Sequence, residues 1–123
     1  MSDKIKIHRV TGGTTEDEDD LKGCYFLETG TAGQYQFYEK DNDLVNTTPA
    51  TFASGTTITF SFEDDLMETW TMTPTITGTG QSATATGSWS NNADEIANDE
   101  GQFQAAASGT RPDEEEEASS ASA

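Results

Sequence analysis

The 123-residue chain reads as all-β: a single small β-sandwich or barrel of about seven short, mainly antiparallel strands. Three observations predict this class. Short runs alternate apolar and polar residues with a period of two, and Gly- and Asn-containing turns part them every 8 to 12 residues or so. No long amphipathic helix separates the runs, which argues against a doubly wound α/β fold.

The first run, Lys4-Ile5-Lys6-Ile7-His8-Arg9-Val10, places Ile5 and Ile7 on one face of a strand and Lys4, Lys6 and His8 on the other. Residues 1–13 therefore read as an N-terminal arm or first strand, ended by Gly12-Gly13. Residues 14–20, dense in Asp and Glu, read as an acidic loop, and residues 21–104 as the β domain. Within it, Lys22 to Thr29 and Gln34 to Lys40 form a hairpin about Gly30-Thr31-Ala32-Gly33. The chain is then irregular from Asp41-Asn42-Asp43 through Pro49, which disfavours a central strand there.

Thr56 to Glu63 is the clearest strand, with Ile58, Phe60 and Phe62 on one face. It pairs with Leu66 to Thr73 across the turn Glu63-Asp64-Asp65, so that Trp70 and Met72 share a face. Pro74 interrupts, and weaker strands follow at Thr75 to Thr79 and Ser82 to Ser90, separated by Gly78-Thr79-Gly80. Ala83, Ala85, Gly87 and Trp89 fall on one face, small enough for a neighbouring backbone to approach closely. Ala93 to Glu100 has the composition of one or two helical turns, and Phe103 pins that region to the core. Residues 105–123 read as a low-complexity acidic tail.

Charge is the strongest compositional signal: 23 Asp and Glu against 6 Lys and Arg give a net charge of -17. Residues 14–20 carry -5 and residues 111–123 carry -4, yet residues 21–110 still carry -10, because only Lys22 and Lys40 oppose twelve acids. The body is itself acidic, and self-repulsion of this size favours conditions that screen it. With two valines and abundant Thr and Ala, the composition is similar to that of proteins from halophilic organisms. The only basic cluster is Lys4, Lys6 and Arg9, too small for binding nucleic acid, where affinity comes from neutralising phosphates.

Cys24 is the single cysteine, which excludes an internal disulfide and multi-Cys zinc sites, and its apolar neighbours mark it as a core residue. No apolar run is long enough to span a membrane, and no signal-peptide core is present, so neither membrane insertion nor Sec export is expected. Catalysis has little material. His8 is the single histidine and has no identifiable triad context. No Gly-rich phosphate loop is followed by Lys. Glu28, Glu39, Glu63 and Glu68 are formal candidates for a glycosidase pair, undistinguished from solvated acids. No cofactor is expected; calcium is the best-matched ion, with Asp41, Asp43, Asp64 and Asp65 as turn-located donors that do not follow EF-hand spacing and read more simply as solvated turns. Tyr25, Tyr35, Tyr38, Trp70 and Trp89 supply material for a sugar-stacking platform or for the core.

The segment Lys4, Ile5, Lys6, Ile7, His8 and Arg9, alternately basic and aliphatic, suits strand addition at the sheet edge of a partner. That arm, the Thr- and Gly-rich strands from Thr56 to Trp89 and the acidic tail together resemble the small structural proteins of tailed viruses, capsid-decoration or tail proteins of halophilic or marine type. The resemblance implies a non-enzymatic virion component, made in the host cytoplasm, that stabilises a capsid or tail lattice as a symmetric oligomer with other virion proteins and copies of itself as partners. A calcium- or carbohydrate-binding β module and an acidic DNA-mimic inhibitor are the alternatives from other classes.

Overall fold

The computed structural model describes residues 4–64, 67–92 and 99–109. Eight strands form one antiparallel sheet: β1 (Ile5–Gly12), β2 (Tyr25–Glu28), β3 (Gln34–Tyr38), β4 (Phe52–Ala53), β5 (Phe60–Glu63), β6 (Thr69–Thr77), β7 (Thr84–Asn91) and β8 (Asp99–Ala106). Their order is β4-β3-β2-β1-β8-β7-β6-β5, so the sheet is a meander in which the first strand pairs with the last. The sheet curls into a small barrel-like all-β fold, and not a two-sheet sandwich. Its two edges approach each other. Thr48 and Ser61 exchange backbone hydrogen bonds of 2.9 and 3.1 Å, and Gly55 N–H donates to the Ile76 carbonyl at 2.8 Å.

Alternation decides what faces inward. Ile5 and Ile7 of β1 are core residues, but strict alternation would next bury Arg9. A bulge prevents this: Ile7 faces Ala105 and Arg9 faces Gln104, leaving His8 as the extra residue, so that Val10 points inward. Elsewhere the interior is aromatic. Phe26, Phe37, Phe52, Phe60, Trp70, Trp89 and Phe103 are all buried, and Phe60 contacts four rings, the nearest being Phe52 at 4.4 Å. Eight strands enclose an interior that side chains can fill, and here large rings fill most of it.

Small residues open the space those rings need. Ala85 lies opposite Ala105 between β7 and β8, and a side chain at Gly87 would strike the Thr73 carbonyl. Close backbone approach, expected from the Ala83-Ala85-Gly87 face, is therefore present.

Several expectations are corrected. Residues 14–20 are not a loop: Thr15–Leu21 form helix α1. Thr14 caps it through a reciprocal capping box with Asp17, at 3.1 Å from the Asp17 N–H and 3.0 Å from Asp17 Oδ2 back to the Thr14 N–H. Glu16, Asp17 and Glu18 lie in the first turn, where the helix dipole favours acids. The stretch from Asp41 through Pro49 is irregular, and the short edge strand β4 follows it, but β6 runs straight through Pro74, where an interruption was expected. Pro74 is tolerated because its carbonyl accepts from Ile58 N–H, so its missing donor faces the same side, past the point where the β5 ladder ends at Phe60 and Met72. Asp99 and Glu100 begin strand β8 and are not helical, while 93–98 lie outside the described residues. Ala105 and Ala106 end β8, and with Ala107 they are buried, so the tail does not start at 105; residues 110–123 lie outside the described residues.

Of the two readings of residues 1–13, an arm or a first strand, the structure has the first strand. β1 pairs with β2 at Ile5 and Lys6 and with β8 from Lys6 to Gly12, so the segment expected to pair with a partner is built into this chain's own sheet. Ile5 and Ile7, expected at a partner interface, are 1 % exposed.

Candidate functional site

One mouth of the barrel is closed by short connections and by α1, and here the packing leaves a cavity of about 280 Å³. The hydrophobic side of α1 delivers Leu21, and the chain leaving it delivers Cys24. β3 contributes Phe37, the strand-like return after its turn contributes Val45, and β5 and β6 contribute Phe62 and Trp70. These six side chains form an apolar floor. Phe62 and Trp70 lie parallel, their ring centroids 6.2 Å apart at an interplanar angle of 5°. Around the floor stands a rim of Asp20, Glu39, Asp41 and Asp64, with Lys40 as the cation among them.

The rim is unevenly free to act. Asp64 is structural: Oδ2 accepts from Trp70 Nε1 at 2.9 Å and Oδ1 from the Glu68 N–H at 3.0 Å, so it fixes the β5–β6 turn and orients the indole. Lys40 Nζ donates to the Asp19 carbonyl at 2.7 Å, tying the β3 end to α1. Asp20 holds its carboxyl above the ordinary range, first because of its partial burial and then because of Glu16, against the opposing pull of Lys40, with Asp64 and Asp17 adding to the rise. Carboxylates crowd this end of the molecule.

Cys24 belongs to the floor and not to any chemistry. Its Sγ donates to the Asp20 carbonyl at 3.3 Å, and burial pushes the thiol up to about 12, so it stays protonated at neutral pH. Asp17, buried beneath the same end, accepts from Asn91 Nδ2 at 3.4 Å, which docks α1 onto β7.

The residues expected to bind calcium divide. Asp41 and Asp43 stand with Glu39 on the exposed turn after β3, and one carboxylate oxygen of each lies within 4.8 Å of the others. Glu39 was not among the expected donors, since the sequence ties it to the end of a strand. Asp64 lies apart from that trio, committed to Trp70, and Asp65 is outside the described residues. An exposed acidic turn of this kind is common without any ion.

The expected partner residues are likewise dispersed. Lys4 Nζ lies 4.6 Å above the Tyr25 ring and donates to Asn42 Oδ1 at 3.0 Å, while Tyr25 stacks on Tyr38 at 5.1 Å and donates to the same Asn42 oxygen. Lys6 is half-buried and Arg9 exposed on the outer face, and half-buried His8 occupies the bulge. Of the aromatics considered for a sugar platform, Tyr25, Tyr35, Trp70 and Trp89 are buried, and Tyr38 is half-buried beneath Tyr25. Glu28 accepts from the Gly33 N–H at 2.8 Å and holds the β2–β3 turn.

What the sequence missed is the floor. Leu21, Phe37, Val45, Phe62 and Trp70 are far apart along the chain, and each reads singly as a core residue; the one local hint was the Thr14–Asp17 capping box, which fixes the helix that brings Leu21 in. No family model matches this chain, and no curated protein and no solved structure is similar to it.

Proposed function

We propose that this chain is a non-enzymatic binding module that seats one small molecule in the cup at the barrel mouth. One observation carries this reading: large rings fill most of the barrel, yet its mouth keeps an apolar-floored cavity of about 280 Å³ ringed by polar groups. Concave apolar sites with a few convergent polar groups are the usual form of small-ligand sites. The volume corresponds to roughly nine waters at about 30 Å³ each, so the ligand is about the size of one substituted ring. Binding is favoured over catalysis because the reactive groups nearby already serve the structure: Cys24 is a protonated floor residue and Asp64 anchors Trp70.

Ligand-observed NMR on the full chain with benzyl alcohol, benzylamine and benzoate tests the reading. At least one probe should bind at millimolar concentration, and Val45→Trp, which fills the cup, should abolish the binding. If all three fail to bind, or if binding survives Val45→Trp, the cup is not a ligand site.

A second reading, a structural component of a virus particle, is favoured by a different surface. The outward residues of β6 (Thr69, Thr71, Thr73, Thr75, Thr77) and β7 (Thr84, Thr86, Ser88, Ser90) form an uncharged array on a chain of net charge -17. Hydroxyl pairs tie the array together, Thr57 to Thr75 at 2.6 Å and Thr77 to Thr84 at 3.1 Å. Another copy approaching here meets no like charge from these two strands. Light scattering over a concentration series checks this: self-association should appear and be lost in Thr73→Glu, and a chain that stays monomeric at every concentration excludes it.

A further inference from the structure

Building on the cup as a ligand site, we infer that its ligand is a small organic cation, an ammonium group on an apolar body of about one ring. The apolar half of that specification comes from the floor, where Phe37, Phe62 and Trp70 present ring surface and Leu21 and Val45 complete the walls. The cationic half comes from the rim: four carboxylates against the single Lys40. These acids sit beside a low-dielectric floor, where charges interact more strongly than in water.

The two halves are arranged for one molecule. Phe62 and Trp70 stack in parallel, and Asp64 holds the indole by its Nε1, so the aromatic wall is set before any ligand arrives. A body lying against that wall leaves its charged end at the mouth, among Asp20, Glu39 and Asp41. Repulsion already present among Asp20, Glu16, Asp17 and Asp64 is relieved when a positive charge enters. An anion meets the same rim as a barrier, and a neutral body gains only from the floor. The rim thus selects by charge and the floor by size.

Isothermal titration of the full chain at fixed salt, with benzylamine, benzyl alcohol and benzoate as probes of matched size, tests the inference. Benzylamine should bind at least tenfold more tightly than benzyl alcohol, which corresponds to about 1.4 kcal/mol, and benzoate more weakly than both. Asp20→Asn and Asp41→Asn, which keep the shape of the rim, should each shrink the gap between benzylamine and benzyl alcohol several-fold by weakening benzylamine more than benzyl alcohol. Trp fluorescence and circular dichroism of both variants establish that they are folded. If benzyl alcohol binds as tightly as benzylamine, or benzoate binds best, charge selection is refuted while the cup stands as an apolar site. If none of the three binds, the cup reading itself is refuted along with this inference.

Discussion

Truncating Phe60 to Ala removes the ring on which the two edges of the sheet meet. Phe60 is 1 % exposed on edge strand β5 and touches Phe26, Phe37, Phe52 and Phe62 with centroid separations of 4.4 to 6.3 Å. Loss of a buried Phe costs about 3–5 kcal/mol in transfer and cavity terms. The four ring contacts place this site toward the upper end, about 4–5 kcal/mol, because aromatic pairs add to simple area burial. Phe62 lies two residues along the same strand and meets three rings, but it is only half-buried at the mouth, so its truncation removes less area from the core and costs roughly 2 kcal/mol. Urea unfolding at matched salt, followed by Trp fluorescence, reads both. With a slope of about 2 kcal/mol per molar urea, the midpoint should fall by about 2 M for Phe60→Ala and about 1 M for Phe62→Ala. Should Phe60→Ala prove too unstable to fold, Phe60→Leu should still shift the midpoint measurably. A loss under about 2 kcal/mol for Phe60→Ala, or one no larger than that of Phe62→Ala, would falsify the claim that this ring holds the edges together.

Three further outcomes are expected. Thr14→Ala removes half of the capping box and should cost about 1 kcal/mol, read as a lower thermal midpoint, whereas Thr14→Ser should be nearly neutral. Asp20 has a raised carboxyl in the folded chain, so the folded state binds that proton more tightly; stability is full below the unfolded value near 3.8 and is lost as pH rises through the folded value. Asp20→Asn should accordingly raise the thermal midpoint at pH 7 and change nothing at pH 3, and a variant less stable than the parent at pH 7 refutes the crowding argument. Cys24, with its thiol up at about 12, should resist a disulfide reagent at pH 8 until the chain opens, and folding stability should fall as pH climbs above about 9; rapid labelling of the folded chain overturns its placement in the floor.

Much of this fold was legible because its strands obey the period-two rule. Phe60 and Phe62 face Met72 and Trp70 across the β5–β6 pair, as the alternation of those two segments requires. The missed elements share one cause, a short-range signal outweighed by composition. α1 offers only Leu21 as a buried hydrophobe, so its acids read as a solvated loop although Thr14 and Asp17 form a capping box. Ala105 to Ala107 read as tail because Ala marks neither core nor surface by size. They are buried since Ala83 and Ala85 leave room for them, with Ala85 opposite Ala105 and the Ala107 N–H on the Ala83 carbonyl at 2.8 Å. Of the cup, Asp41 and Asp64 were visible as turn acids, whereas its floor exists only after five separate segments converge.

The pairing of β1 with β8 has a consequence for how the chain reaches this state. Every other strand pair joins neighbours in sequence, but Lys6 meets Ala106 across 100 residues. Closing a loop of about 100 residues costs roughly 2 kcal/mol more in entropy than closing one of about ten. The pairs between sequence neighbours are therefore expected to form first and the β1–β8 seam last. Until it does, Ile7 and Val10 are missing from the wall and Trp89 lacks the Thr11 carbonyl to which its Nε1 donates at 3.2 Å. The slow step of folding is thus expected at the joint between the two ends of the sheet, and not at the mouth where a ligand would sit.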